Sequence, residues 1–251
     1  YIGARDMIVL VHKTLGDEVE VLQHQFMRNG VKYLHATAKF VGPNKATMVT
    51  EAGEVSEIGF DHALISVGTR PHRPDNIPFD HEHVFDSDEI LDIKSLPRTL
   101  TVIGGGVIGV EYATIFSALD VPVTLVESRE NILEFVDREL VDDFIHQMRD
   151  RGMTVRLGCG VKEVTVKPNG VETSLSDGRI VRTEMLLYAA GRTGNVSSLG
   201  LDSIGIEADN RGRIKVDSTT FQTSLPHIYA CGDVIGFPSL ASTSMEQGRV
   251  A

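Results

Sequence analysis

The sequence predicts an α/β chain made of two related units, the first of them incomplete. Three observations carry this. A glycine-rich loop, Gly104-Gly105-Gly106-Val107-Ile108-Gly109, sits between a short apolar run and a helical pattern. Short β-type runs alternate with helical periodicity around it. And one plan occurs twice: a strand meander, a buried strand, then Gly68-Thr69-Arg70 in one copy and Gly191-Arg192-Thr193 in the other.

Taken in order, Tyr1–Gly30 reads as helical. Val11, Leu15, Val19, Val21, Leu22 and Phe26 recur at helical spacing, and Gly30 is a stop signal. A strand-rich stretch follows, with Val31–Phe40, Thr47–Glu51 and a buried strand at Ala63–Val67, punctuated by Gly42-Pro43-Asn44 and Ala52-Gly53. The proline-rich Gly68–Pro74 and the aperiodic Asp75–His83 read as a linker or domain crossing. Near Arg98 a second unit begins: a strand at Leu100–Ile103, a helix from the glycine loop to about Leu119, and a strand at Val121–Val126. The spacing predicts an amphipathic helix over Asp137–Gly152, with Leu140, Val141, Phe144, Ile145 and Met148 on one face. A strand at Met153–Leu157 comes next, then a meander of Val161–Val166, Gly170–Leu175 and Arg179–Thr183, then a buried strand at Met185–Ala190. Phe221–Ile228 leads into Tyr229-Ala230-Cys231-Gly232-Asp233, and Ser242–Ala251 begins a helix. Tyr1 is not an initiator Met and the last helix stops in mid-course, so a central part of a longer protein is expected.

Bulk properties narrow the function classes. The chain has 251 residues, of which 41% are hydrophobic, enough for a sizeable core. A net charge of −11, from 35 acidic and 24 basic residues, opposes binding to a nucleic-acid backbone. No apolar run reaches the ~20 residues needed to span a bilayer, and no signal peptide opens the chain. Cys159 and Cys231 are too few for a disulfide scaffold, which fits a reducing, cytoplasmic setting. The nine histidines show no metal-ligand spacing; His81 and His83 read as part of a solvated loop. No Ser-His-Asp or Cys-His constellation can be argued, so no side chain is assigned as a catalytic group.

The glycine loop carries the clearest chemistry. Between strand and helix, Gly104 permits a tight turn, Gly106 lets the backbone approach a pyrophosphate, and Gly109 allows close helix–strand packing. The helix N-terminus then presents free N–H groups and a positive dipole end to that anion. Glu127, roughly 20 residues on at the end of the second strand, can accept hydrogen bonds from the adenosine ribose hydroxyls, favouring NAD over NADP. Arg129 reads first as a solvated charge, although it is near enough in sequence to reach a 2′-phosphate. Glu111, on the first helix of this Rossmann-like unit, is either a surface charge or a site residue. Asp233 follows a buried strand, where open α/β sheets bind ligands, but a turn aspartate is an equal reading.

Together these motifs resemble the pyridine nucleotide–disulfide oxidoreductase flavoproteins, a family that includes dihydrolipoamide dehydrogenase and glutathione reductase. The resemblance spans essentially the whole chain. Its most specific stretches are Leu187–Asn195 and Tyr229–Ser242, supported by Phe85–Leu91 and Gly68–Pro71. It implies two FAD/NAD(P)-binding units of three-layer β/β/α construction: a partial FAD-binding domain (1–97 with 218–251) and an NAD(P)-binding domain (98–217). It further implies that Asp233 binds the ribityl chain of FAD, that Gly68 and Thr69 lie near the flavin, that Thr37 and Ala38 pass its adenine, and that Leu240 and Ala241 open the flavin-side helix. Gly104, Gly105, Gly106, Val107, Ile108 and Gly109 with Glu127, Ser128 and Arg129 match the NAD(P) fingerprint. Glu111 matches a glutamate near the nicotinamide, Gly191 is a further cofactor-binding position, and Val107 stands where some relatives carry a tyrosine lid over the flavin. Where NADP-specific relatives place arginines, this chain has Ser128 and Glu134.

The likeness is strongest to the family's transhydrogenase branch, so the implied activity is hydride transfer between NADPH and NAD through FAD. An NAD-linked dehydrogenase of the lipoamide type and a non-catalytic dinucleotide-binding module are the alternatives. The family's first FAD motif, its cysteine pair and its C-terminal dimerisation domain are expected outside this stretch, so self-association is expected only with that last domain.

Overall fold

A computed structural model of the chain describes residues 4–251. It opens with α1 (Ala4–Arg28), closed as its sequence predicts. Gly30 takes φ 69°, and the Val31 amide donates to the Phe26 carbonyl at 2.9 Å, a left-handed glycine stop that satisfies the last carbonyls. Leu15, Val19, Leu22 and Phe26, the helix's apolar positions, stay exposed.

The remaining elements follow in order. They are β1 (Ala36–Gly42), β2 (Lys45–Thr50), β3 (Val55–Gly59), β4 (Ala63–Ile65), β5 (Thr69–Pro71), β6 (Val84–Asp86), β7 (Leu100–Ile103), α2 (Val107–Ala118), β8 (Val123–Val126), α3 (Arg138–Asp150) and β9 (Thr154–Arg156). Then come β10 (Val161–Lys167), β11 (Gly170–Leu175), β12 (Ile180–Thr183), β13 (Met185–Tyr188), β14 (Arg192–Gly194), β15 (Ile228–Ala230) and α4 (Ala241–Val250). No described helix is long and apolar enough to cross a membrane.

The chain divides into two compact units. One holds the residues up to Val19 and Pro71–Gly191; the other holds Glu20–Arg70 and Arg192–Ala251. These divisions differ from the expected ones at 97/98 and 217/218. The segment 71–97 joins the glycine-loop unit because β6 pairs in parallel with β13, matching Val84 to Leu186 and Asp86 to Tyr188. The segment 192–217 joins the other unit. There the Phe40 amide donates to the Leu199 carbonyl at 2.8 Å, and Leu199, Ile206 and Ile214 pack with Phe40, Ile65 and Ile228.

In the glycine-loop unit, five parallel strands are ordered β6-β13-β7-β8-β9. Both faces are covered, so strands read as continuous apolar runs rather than alternating ones. Leu100, Val102, Leu125, Leu186 and Leu187 are fully buried, each contributing about 1.5–3 kcal/mol. On one side β7, α2, β8, α3 and β9 step outward; on the other the sheet continues to β13 and β6. The meander β10-β11-β12 connects β9 to β13 and buries Val164 and Val171 against Val84, Ile103 and Leu186. On α3, Asp137 caps the first turn by accepting the Glu139 amide at 2.9 Å, and Val141, Ile145 and Met148 are buried. Leu140, expected on that face, is 65% exposed. One position back from Val141, it is rotated past the edge of the buried stripe.

Strand β6 escaped the sequence reading. Three residues show no periodicity, and hydrogen bonds place them instead. The Asp80 carboxylate accepts the amides of Glu82, His83 and Val84, turning the chain into the strand. Asp86 ends it by accepting the amides of Asp88 and Glu89, and it is paired with Arg73 at 2.7 Å. In the other unit, β1-β2-β3 is antiparallel, β4 pairs in parallel with β15, and β5 pairs with β14. The echoed Gly-Thr-Arg and Gly-Arg-Thr segments therefore become neighbouring strands.

Candidate functional site

The glycine loop leaves the C-terminal end of β7, between β8 on one side and β13 on the other, where the strand order reverses. Open α/β sheets bind ligands at such a point. The loop is fixed tightly. The Gly104 amide donates to the Val126 carbonyl at 2.9 Å. Gly104 has φ 115°, unfavourable for any side chain, and a Cβ there would lie 2.8 Å from the Ala189 backbone. A Cβ at Gly105 would lie 2.5 Å from Ile132 Cγ2, and one at Gly109 would overlap the Gly104 carbonyl oxygen.

Gly106 differs from these three. It caps α2 in extended backbone (φ −78°, ψ −179°) that any residue adopts, and a Cβ there would meet nothing within 4 Å. Packing thus explains three of the four glycines and leaves open space in front of the fourth. The first-turn amides of α2 have no acceptor within their helix, and no side chain caps Gly106. Exposed Val107 and half-buried Ile108 follow. Backbone donors, a positive helix end and free space together are what an anion cradle requires.

Next to it, Glu127 is 5% exposed at the end of β8. One carboxylate oxygen accepts the Gly105 amide at 2.5 Å and Arg129 Nη2 at 3.0 Å. The other accepts the Arg129 amide at 2.9 Å, Arg129 Nε at 3.0 Å and the Ser128 hydroxyl at 3.2 Å. Burial pushes the Glu127 pKa up. The bonds from Arg129 and the Gly105 amide outweigh burial and hold it at about 2. The bond to Glu127 in turn raises the Arg129 pKa above its ordinary value, against burial. The third guanidinium nitrogen, Nη1, lies 2.8 Å from the Glu134 carboxylate. Arg129 is therefore half exposed but not a free charge. It is a shared counter-ion of two carboxylates, and Glu127 meets the chain's own donors before any ribose. The loop carrying these groups is tied back to the glycine turn, since the Leu133 amide donates to the Gly105 carbonyl at 2.9 Å and Ile132 is fully buried.

Elsewhere in this unit, Glu111 is exposed on α2 and Gly191 is exposed with φ 103°. The other unit gathers part of the second expected set. The Thr69 hydroxyl donates to Asp233 at 3.3 Å, while Arg192 donates to the Thr69 hydroxyl at 2.7 Å and to the Thr69 carbonyl at 2.8 Å. The Gly68 carbonyl accepts the Asn195 amide. Thr37 and Ala38 occupy exposed positions of β1, opposite Val49 and Met48. Leu240 caps α4 without a side-chain bond, and exposed Ala241 begins it. Asp233 and Thr69, polar and half-buried, suit a polyol chain, and the uncapped start of α4 suits an acceptor.

Sequence reasoning missed three supports. Arg192 orients Thr69, Gln247 accepts the Gly232 amide at 2.8 Å, and Glu134 holds Arg129. Only the echoed Gly-Thr-Arg motif pointed toward the first. Cys159 and Cys231 are buried and unpaired with each other, and no described cluster of His, Cys, Asp or Glu could hold a metal ion.

Residues 5–248 match the family described as pyridine nucleotide-disulphide oxidoreductase. A relative from Mycobacterium bovis named soluble pyridine nucleotide transhydrogenase is 45% identical over 98% of this chain and 53% of its own length. One of the same name from Serratia proteamaculans is 38% identical over 98% and 53%. The chain thus spans about half the length of the curated relatives it matches. Among solved structures, LpdA from Mycobacterium tuberculosis superposes with a TM-score of 0.93 at 26% identity, covering 100% of this chain and 56% of that one. The HOCl-induced flavoprotein disulfide reductase RclA from Escherichia coli gives 0.80 at 27% identity, covering 94% and 55%.

Proposed function

The chain belongs to the pyridine nucleotide-disulphide oxidoreductase family, and from that premise we propose that it serves a flavin-dependent enzyme passing hydride between NADPH and NAD. One observation carries the nucleotide half: the open cradle at Gly106, which the packing of the protein does not require. The names of the 45% and 38% identical relatives support the transhydrogenase activity.

In this reading Gly104–Gly109 and the first amides of α2 hold the dinucleotide pyrophosphate. Glu127, Ser128 and Arg129 face the adenosine ribose. Glu111 lies toward the nicotinamide, and Gly191 is a further contact of the dinucleotide. On the other unit Asp233, set by Thr69 and Arg192, holds the ribityl chain of FAD, with Gly68 beside it. Thr37 and Ala38 lie along the adenine, and Leu240 and Ala241 offer amides at the start of α4. Bound FAD supplies the two-electron relay between the nicotinamides; the chain's own part is to bind and orient.

The experiment is spectrophotometric. Purified full-length protein supplied with FAD, NADPH and an oxidised NAD analogue of distinct absorbance should accumulate the reduced analogue. Failure to do so with FAD bound would sink the transhydrogenase reading. A second reading, an NAD-linked dithiol dehydrogenase, is favoured by the capture of Arg129 between Glu127 and Glu134. Turnover of a dithiol with NAD, and none between dinucleotides, would select it.

A further inference from the structure

We propose that Asn169 is a site of spontaneous covalent modification, converting to aspartate and isoaspartate through a cyclic imide formed with the Gly170 backbone. The turn between β10 and β11 selects it over the chain's other dipeptides of the same kind. The inference is independent of the dinucleotide reading.

Three dipeptides in the sequence place Asn or Asp before Gly: Asn29-Gly30, Asn169-Gly170 and Asp177-Gly178. Glycine, with no Cβ, leaves the approach of its amide nitrogen to the preceding side chain unobstructed. The fold treats the three differently. The Asn29 side chain is turned back onto α1, its Nδ2 donating to the Gln25 carbonyl at 2.8 Å. The Gly30 amide donates to the Met27 carbonyl at 3.2 Å, and the Val31 amide closes the helix behind it. Asp177 accepts the Arg179 amide at 3.0 Å and the Arg179 guanidinium at 2.7 Å, and these bonds hold its carboxyl below the ordinary pKa. An ionised carboxylate repels an attacking nitrogen lone pair and offers no leaving group. Asn169 has none of these restraints. It is exposed, and its side chain has no hydrogen-bond partner among the described residues.

The ladder adds a second reason. Pro168 and Asn169 make a two-residue turn, and Lys167 pairs with Gly170 as the last rung between β10 and β11. A terminal rung beside an exposed turn opens at small cost, so the Gly170 amide comes free without unfolding the meander. Gly170 itself is not exchangeable. It has φ 141°, and a Cβ there would overlap the Thr183 carbonyl oxygen of β12. Packing of the meander thus demands a glycine at the position where glycine also leaves Asn169 open to attack.

In the reaction, the Gly170 nitrogen loses its proton and bonds to Cγ of Asn169. The Cγ–Nδ2 bond breaks, and ammonia leaves with the proton. Water then opens the ring. Addition at Cγ gives aspartate; addition at the backbone carbonyl carbon of residue 169 gives isoaspartate, whose main chain runs through Cβ and Cγ and is one atom longer. Both products add a negative charge. Only isoaspartate lengthens the turn next to Val171, which is buried with Val164 against Val84, Ile103 and Leu186.

The test holds the full chain for days in mildly alkaline buffer, folded and, in parallel, unfolded in guanidinium chloride. Peptide mapping by mass spectrometry, with aspartate and isoaspartate peptides separated by chromatography, reads each site. In the folded chain Asn169 should convert several-fold faster than Asn29, and Asp177 should stay unisomerised. Unfolding should bring the two asparagines to comparable rates. The isoaspartate form, isolated by ion exchange, should melt below the unaltered protein. Asn169→Asp, with the same charge on an ordinary backbone, should melt with it. Asn169 unconverted in the folded chain, or Asn29 converting there as fast, would overturn the proposal. An isoaspartate form that melts together with Asn169→Asp would overturn the effect assigned to the longer turn.

Discussion

One methyl group added at Gly106, and separately at Gly109, distinguishes ligand approach from packing. At Gly109 the new Cβ overlaps the Gly104 carbonyl oxygen, which is backbone and pinned through the Gly104 amide to Val126. Relieving it means moving α2 off β7, an overpacking cost of about 3 kcal/mol. For a chain of this size that lowers the melting temperature by roughly 6–12 °C. At Gly106 the Cβ meets nothing within 4 Å, and φ −78° suits alanine. Gly106→Ala should therefore melt within about 2 °C of the unaltered protein, or slightly above it, because glycine loses more chain entropy on folding. Its cost should appear only with ligand present. The methyl group holds the pyrophosphate off the first amides of α2, and one lost hydrogen bond to a charged group is about 1.5–3 kcal/mol, or about 10- to 150-fold in Kd. Thermal melts by circular dichroism and ADP-ribose titration measure the two effects separately. An unchanged Kd in Gly106→Ala would refute the cradle. A melting loss equal to that of Gly109→Ala would refute the packing argument.

Three other outcomes follow from the same coordinates. Glu127, held at about 2 by Arg129 and two amides, should contribute on the order of 3 kcal/mol of stability above pH ~4.5 and lose it as pH falls through about 2. The stability gap between the unaltered protein and Glu127→Gln should accordingly narrow in acid denaturation below pH ~4; a gap constant with pH would contradict the assigned bonds. Asp137→Ala should cost about 1 kcal/mol in denaturant unfolding by removing the cap on α3, and Asp137→Ser should restore most of it. Leu187→Ala, at a fully buried position between β6 and β7, should cost about 2–5 kcal/mol; a loss under 1 kcal/mol would mean that the face of the sheet covered by α2 and α3 is not packed.

Local chemistry was legible without coordinates. The glycine loop, its flanking strand and helix, the Asp137 start of α3 and the Gly30 stop of α1 each depend on neighbours within a few residues, which a sequence displays. Both meanders were legible for the same reason, as turn residues fix their corners. Turns at Pro168-Asn169-Gly170 and Asp177-Gly178 bound β11, whereas β6 has three residues and is made a strand by Asp80 and by its partner β13, far along the chain.

The sequence by itself therefore pointed to a glycine loop fit to receive an anion, because backbone donors and the absence of Cβ atoms are written in glycine spacing. It assigned Gly106 to the approach of a pyrophosphate and Gly104 and Gly109 to turn and packing, but could not show the contacts that demand the other three glycines. Gly104, Gly105 and Gly109 are demanded by Ala189, Ile132, Glu127 and each other, contacts that arise only when β13 and the loop after β8 fold against the turn. It named Glu127 and Arg129 as rivals for ribose and phosphate. Only the tertiary structure showed them bound to each other, with Glu134 completing the set. Opposite charges two and five residues apart are common in any loop. Whether they pair depends on where the backbone turns, and here that turn is tied to Gly105, whose amide donates to Glu127 and whose carbonyl accepts the Leu133 amide.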